Sequence, residues 1–334
     1  MDKGKIDKLI IPKEVYDNTT LTNYDRCERY GFFKHERHWE REGRAAPLGM
    51  GVAWHSGQDV LWPVLVTMTE KAIIDSIDYL VDLAMSAFMD RWEAEGMPMN
   101  RDLEEAIASD KAYKARNPDV AALMYNAYIL EHASFFPKIE LLAIEQPFIV
   151  PIFETRDDVG YIGLMDKNFR HWIDGVVVLD HKTTTSFAKL GGLRLDFMES
   201  FAPNSQFTGY LYAMNILYPE HSPIDIAWAD VSLVHKDVGD GTSHDTHRFI
   251  PIRSSNETIS EWIQDTRIKI ERIQESKHRL SVGKHAFPKK TSSCTTRGLC
   301  PFMDICNGSS NWAEMNIPSG FVESHWSPIS FLED

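Results

Sequence analysis

The chain is poor in cysteine, with four in 334 residues, and it has no apolar run approaching the roughly eighteen residues a membrane-spanning helix needs. The first shortage excludes the dense disulfide framework of small secreted domains. The second excludes a membrane helix as an expectation. The opening residues, MDKGKIDKLIIPKEVYDN, are charged and lack an apolar signal core, so secretion is not expected. Internal repeats and low-complexity linkers are missing too, which argues against solenoids and tethered modules. No G-x-x-x-x-G-K-[ST] segment occurs, which excludes an ATP-driven motor built on that loop. Positive charge is short: 35 Lys and Arg stand against 49 Asp and Glu, a net charge of −14. That balance argues against a protein holding polyanions by overall charge. It leaves room for a local basic strip, and it suits a chain that gathers carboxylates around metal ions.

The cysteines that are present are oddly placed. Cys27 lies near the start, and Cys294, Cys300 and Cys306 fall within thirteen residues near the end. Four thiols with none left over suggest one metal or cluster site that closes the chain on itself. Four unrelated thiols are the plainer alternative.

Residues 19–40 predict a helix capped by Thr, with a glycine-flanked second helix beginning near Ala53. Residues 69–95 and 103–136 carry amphipathic helical patterns, the latter with a proline break at Asn117-Pro118. The character changes near Leu141. LLAIEQPFIVPIF and GYIGLMDKNFRHW predict strands, Asp174-Gly175 a hairpin turn, and GVVVLDHKT the returning strand. A helix from about Asn204, strands in IDIAWADVSLVHK and THRFIPIR, and a helix over 256–280 follow. The expectation is an α/β fold: a mixed sheet core flanked by helices, with a helical insertion.

Side chains alternate across a strand, so Asp180 and Lys182 share a face and His181 points away. Asp166 lies across the hairpin from them. Two carboxylates and an ammonium then converge, and a divalent cation would relieve the repulsion between the acids. Hard oxygen ligands suit Mg²⁺ or Mn²⁺. Gln206 and Tyr210 are four apart and share a helix face. Against this stands the reading of Asp180 and Lys182 as an ordinary ion pair at a strand end.

Taken together, GLMDK, VVVLDHKTTTS and QFTGY resemble the active-site hairpin and following helix of the PD-(D/E)XK nuclease superfamily, in its RecB-like exonuclease branch. The resemblance implies a restriction-endonuclease-like core in which Asp166 and Asp180 are the metal-binding acids and Lys182 is the catalytic lysine. It also implies that Gln206 and Tyr210 are the Q-x-x-x-Y pair orienting substrate or lysine. GVAWHSGQDV is similar to the family's Gly-rich helix, which makes His55 a metal ligand, and Glu145 in AIEQPF takes the place of a frequent strand glutamate. The cysteines resemble those of the iron–sulfur members, the AddB-type and CRISPR-associated nucleases. There Cys27, Cys294, Cys300 and Cys306 would bind a [4Fe-4S] cluster, with a structural Zn²⁺ as the rival. The step from Cys294 to Cys300 departs from the commoner spacing by having five intervening residues instead of two.

The resemblance implies a single nuclease domain over 1–334. Its parts are an N-terminal helix (19–50), a helical region (51–140), a catalytic sheet core (141–255), a C-terminal helix and cluster loop (256–310) and a tail (311–334). The implied activity is metal-dependent DNA hydrolysis from ends or on single strands, serving recombination, repair or replication. The implied setting is the cytoplasm of a bacterium or a phage-infected host cell, with no membrane partner. Relatives form oligomers and recombination complexes, so a DNA-end-binding or nuclease subunit active only within such a complex is the alternative. A redox sensor built on the cluster is a third reading. Eight Lys or Arg against two Glu between Arg267 and Lys290 mark a candidate strip for the DNA backbone.

Overall fold

The computed structural model describes residues 12–43, 45–186, 192–234, 246–296, 298–308 and 310–325. Among these residues eight strands are defined: β1 (Glu14–Tyr16), β2 (Trp39–Arg41), β3 (Ile139–Pro151), β4 (Val159–His171), β5 (Gly175–Thr184), β6 (Ile226–Leu233), β7 (His247–Arg253) and β8 (Phe321–Glu323). The principal helices are α1 (Asn18–Arg26), α2 (Ala46–Leu65), α3 (Ile77–Ala94), α4 (Pro118–His132), α5 (Ser205–Leu217) and α6 (Asn256–Ser281). A mixed sheet has the order β1-β4-β5-β6-β7, with β3 pairing β4, and a second sheet joins β2 to β8. No described helix is long and apolar enough to cross a membrane.

The chain divides into two compact units, one of 44–146 and 164–256, the other of 1–43, 147–163 and 257–334. In the first unit β4 and β5 form the expected antiparallel hairpin, with Lys167 opposite Leu179 and His171 opposite Gly175. Gly175 closes the turn at a φ of +73°, where a side chain would be strained. Strand β5 then runs parallel to β6. That pairing needs a crossover, and α5 provides it. Both strands are buried along nearly their whole length, which is why they read as near-continuous apolar runs instead of alternating ones.

Helices α2, α3 and α4 build the core beside this sheet. Trp54, Trp62, Phe88, Trp92, Tyr125, Tyr128 and Phe136 are all fully buried there. Burial of each phenylalanine alone contributes about 1.5–3 kcal/mol. The approach of α2 is very close. A Cβ added at Gly57 would lie 1.9 Å from the Tyr125 hydroxyl and 3.0 Å from the Ala84 carbonyl. Tyr125 cannot swing aside, because it stacks on Trp54 and donates to the Trp54 carbonyl at 2.9 Å.

The second unit is pinned by aromatic rings. Phe32, Phe33 and Trp39 are buried among Phe287, Phe302 and Trp312, so these rings pack and do not stand ready to stack on bases. Strand β1 pairs in parallel with the start of β4, Glu14 opposite Val159.

Several expected helices are interrupted. The one expected over 19–40 stops at Arg26, because Cys27 has an extended backbone (φ −169°, ψ 122°). It resumes as a short helix and a π-helical turn ending at Glu36. The pattern over 69–95 breaks at Ser76, while 103–136 divides at the expected Asn117-Pro118 break, before α4, whose N-cap Asn117 accepts from the Val120 amide at 3.0 Å. In each case a local cap or turn overrides continuous periodicity. The end of the strand expected through Lys236 lies outside the described residues.

Gly57→Ala would gain about 1 kcal/mol of helix propensity but forces overpacking that costs about 1–3 kcal/mol and displaces the Tyr125 hydrogen bond. With the lost hydrogen bond included, urea denaturation should show a net loss of about 0.5–3.5 kcal/mol. A neutral or stabilised variant would mean that α2 is free to move.

Candidate active site and thiol cavity

Three elements of the first unit bring the candidate residues together. Helix α2 presents His55. Its Nε2 lies 3.0 Å from the His181 carbonyl, and since a carbonyl only accepts, Nε2 carries the proton. Whenever the ring is neutral, Nδ1 is then a lone pair. That nitrogen faces Asp166 Oδ2 at 3.4 Å. With the ring neutral, that nitrogen and the carboxylate are two ligand atoms placed to share a cation.

Glu145 on β3 joins them. One ligand atom each from His55, Glu145 and Asp166 lies within 4.8 Å of the others, the single such set among the described residues. Glu145 has a φ of +45°, an uncommon conformation for a residue with a long side chain. Burial, with the Asp166 and Asp59 carboxylates nearby, pushes its carboxyl up to about 8. Asp166 behaves in the opposite sense. Burial works against its charge, but His55, His181 and Lys167 hold its carboxylate below the usual range. The His181 amide also donates to Asp166 Oδ2 at 2.7 Å.

Asp180 and Lys182 share a face of β5 as alternation requires, and they form an ion pair. Gln206 bridges them. Its Oε1 accepts from Lys182 Nζ at 3.0 Å, and its Nε2 donates to Asp180 Oδ1 at 2.9 Å. Tyr210, one turn further along α5, lies 2.9 Å from Gln206 Nε2 and donates to the Leu164 carbonyl at 2.8 Å. Burial, and then the repulsion of Asp166, raise the Asp180 carboxyl against the pull of Lys182. Asp180 is therefore engaged by Lys182, Gln206 and Tyr210 and does not join the three-atom set of His55, Glu145 and Asp166.

Sequence reasoning passed over two further charges. Lys167 is fully buried and pairs with Asp59. Asp59 follows His55 by four residues on α2, a spacing that puts both on one helix face. That spacing was the available signal. A lysine inside a strand gave none.

In the second unit, all four cysteines line one cavity, with Tyr30 and Phe302 among its walls. No three of the sulfurs lie within 4.8 Å of one another. The Lys290 amide points at Cys27 Sγ at 3.3 Å. Burial raises the thiols of Cys300 and Cys306, the latter to about 11. Arg29 is buried and donates to the Phe287 carbonyl at 2.9 Å. Its Nη1 has no hydrogen-bond partner among the described residues, its guanidinium lies 3.3 Å over the Trp312 ring, and burial lowers its pKa. In the basic strip, Arg267, Lys269, Arg272 and Lys277 are paired with Glu154, Asp25, Glu28 and Glu36. Much of its charge is thus neutralised within the chain.

No family model matches this chain. No curated protein matches it either. Among solved structures, it is similar to the crystal structure of a "Putative exonuclease" from Eubacterium rectale, with 14% sequence identity and a TM-score of 0.44 over 90% of this chain and 94% of the other.

Glu145 offers a pH test of this geometry in chelator. A carboxyl raised on folding contributes stability that is present below its unfolded value and lost as pH rises through the folded one. The window runs from about 4.5 to about 8. Melting curves of wild type and Glu145→Gln should therefore diverge across that window, with wild type losing ground. Parallel curves would show that Glu145 is not confined as described.

Proposed function

We propose that the chain is a divalent-cation-dependent DNA exonuclease that hydrolyses phosphodiester bonds on single strands or at DNA ends. One observation carries the reading: His55 Nδ1 and the Asp166 carboxylate face each other at 3.4 Å, with Glu145 in the same space. Beside them a lysine is held on a second acid. His55, Glu145 and Asp166 would hold Mg²⁺ or Mn²⁺, the two carboxylates being donors that suit either ion and the imidazole favouring the softer Mn²⁺. When bound, the ion would polarise the scissile phosphate and lower the pKa of water. The protein's own contribution falls to Lys182, Asp180 and the α5 pair. Lys182 offers its ammonium to the charge that develops on the phosphate oxygens. Gln206 and Asp180 hold that ammonium in one position. Tyr210 fixes Gln206 against the Leu164 carbonyl.

The sequence resemblance supports the choice of DNA as substrate, and the net charge of −14 makes local contacts its means of binding. End-labelled single-stranded DNA with Mn²⁺ should be shortened from one end by wild type. EDTA should abolish the reaction, and Lys182→Ala should slow it by about 10²–10⁴-fold. A folded wild type that leaves the DNA intact with Mn²⁺ would contradict the reading as a stand-alone enzyme.

For the thiol cavity the same reading assigns a [4Fe-4S] cluster to Cys27, Cys294, Cys300 and Cys306. The raised thiols would have to lose their protons to a metal. Four thiolates would also supply the negative charge that a buried Arg29 lacks. A tetrahedral zinc site with Zn–S bonds of about 2.3 Å needs sulfurs about 3.8 Å apart, closer than the cavity holds any three of them. Because the site joins Cys27 to a loop more than 260 residues later, its role is structural. Anaerobically purified protein should contain iron and acid-labile sulfide in equal amounts and little zinc. Cys300→Ala should lose both and melt earlier. Zinc alone, or a Cys300→Ala protein that keeps its metal and stability, would overturn the assignment.

A further inference from the structure

The residue between Asp180 and Lys182 sends no side chain into the candidate site, yet it touches two of the three candidate ligands. The His181 amide donates to Asp166 Oδ2 at 2.7 Å, and the His181 carbonyl accepts from His55 Nε2 at 3.0 Å. The first bond fixes which Asp166 oxygen faces His55. The second fixes the tautomer that leaves Nδ1 as a lone pair. Both depend on the peptide units around His181 holding one orientation.

The imidazole explains how they do so. It lies on the opposite face of β5, wholly buried, with Nδ1 2.7 Å from Asp230 Oδ2. Asp230 is the partner of His181 in the parallel ladder between β5 and β6. Its Oδ2 also accepts the Tyr128 hydroxyl at 2.8 Å, and that hydroxyl accepts from Trp62 Nε1 at 3.2 Å. One residue of β5 is thereby tied to β6, to α4 and to α2, the helix that carries His55. Replacing a whole buried polar network of this kind by apolar side chains is often neutral or stabilising, so stability alone does not account for it. What such a network adds over an apolar filling is a single orientation.

We propose that His181 is a positioning residue of the cation site, locked through its side chain by Asp230 and Tyr128 and acting through its backbone on His55 and Asp166. The proposal rests on the cation-dependent hydrolysis argued above, and the two can fail separately.

The test compares wild type with His181→Leu, His181→Asn and Tyr128→Phe, with Mn²⁺ titrated by calorimetry and single-stranded DNA cleavage measured at saturating metal. Leucine fills the interior but cannot donate to Asp230. Asparagine places an amide N–H near the position of Nδ1. His181→Leu should bind Mn²⁺ about tenfold more weakly, and its kcat should fall while KM for DNA stays unchanged. His181→Asn should recover most of both losses, and Tyr128→Phe should show a smaller loss in the same direction. The proposal is overturned if folded His181→Leu matches wild type in Mn²⁺ affinity and kcat, or if His181→Asn is as impaired as His181→Leu. Should His181→Leu fail to fold, Tyr128→Phe with wild-type Mn²⁺ affinity overturns it. A wild type that binds no Mn²⁺ would defeat the underlying reading instead.

Discussion

The structure of the first unit turns on a conflict of like charges. Glu145, Asp166 and Asp180 are brought into a buried space at the end of a hairpin, and such a grouping is unfavourable without cations. Lys182 answers for Asp180, and Lys167, paired with Asp59, adds positive charge behind the strand. Among the described residues no lysine or arginine pairs with Asp166 in the same way, and it faces His55 Nδ1 instead. Each surrounding feature holds that arrangement in place: the glycine that lets α2 approach, the left-handed backbone at Glu145, the amide bridge of Gln206. A site held this rigidly before its cation arrives needs little rearrangement when it binds, which is what electrostatic catalysis requires.

Much of this was legible beforehand. Asp166 opposite the D-x-K segment followed from strand alternation, and Gln206 with Tyr210 followed from helical spacing, because both are local periodicities. Asp174-Gly175 announced its own turn. The helix break at Asn117-Pro118 was announced by its proline, whereas the interruptions at Cys27 and Ser76 were less legible. They depend on caps and on tertiary contacts that a hydrophobic pattern does not encode. Lys167 illustrates the limit: a charged residue in a strand reads as a solvent-facing position, and only the distant Asp59 makes its burial tolerable. His181 was read correctly as pointing away from the site. Its importance lies in its main chain, on which side-chain chemistry is silent.

The second unit poses a different question of charge. Two thiols raised by burial, those of Cys300 and Cys306, and a guanidinium with no acid partner among the described residues complement each other only if the thiols ionise. The break at Cys27 follows the same logic. An extended residue between two helices frees its sulfur to face the loop of Cys294, Cys300 and Cys306, where a continuous helix would have tied it into a regular face. The basic strip on α6 is largely consumed by acids of the same unit, so an acidic protein of this kind would rely on the site itself, more than on a charged track, to hold a polyanion.

The central claim is that His55, Glu145 and Asp166 form a cation site. Crystals soaked in Mn²⁺ and measured at the manganese absorption edge test it most directly. The account predicts an anomalous peak coordinated by His55 Nδ1 and by the Glu145 and Asp166 carboxylates. A peak held by other residues, or none at saturating Mn²⁺, would contradict it.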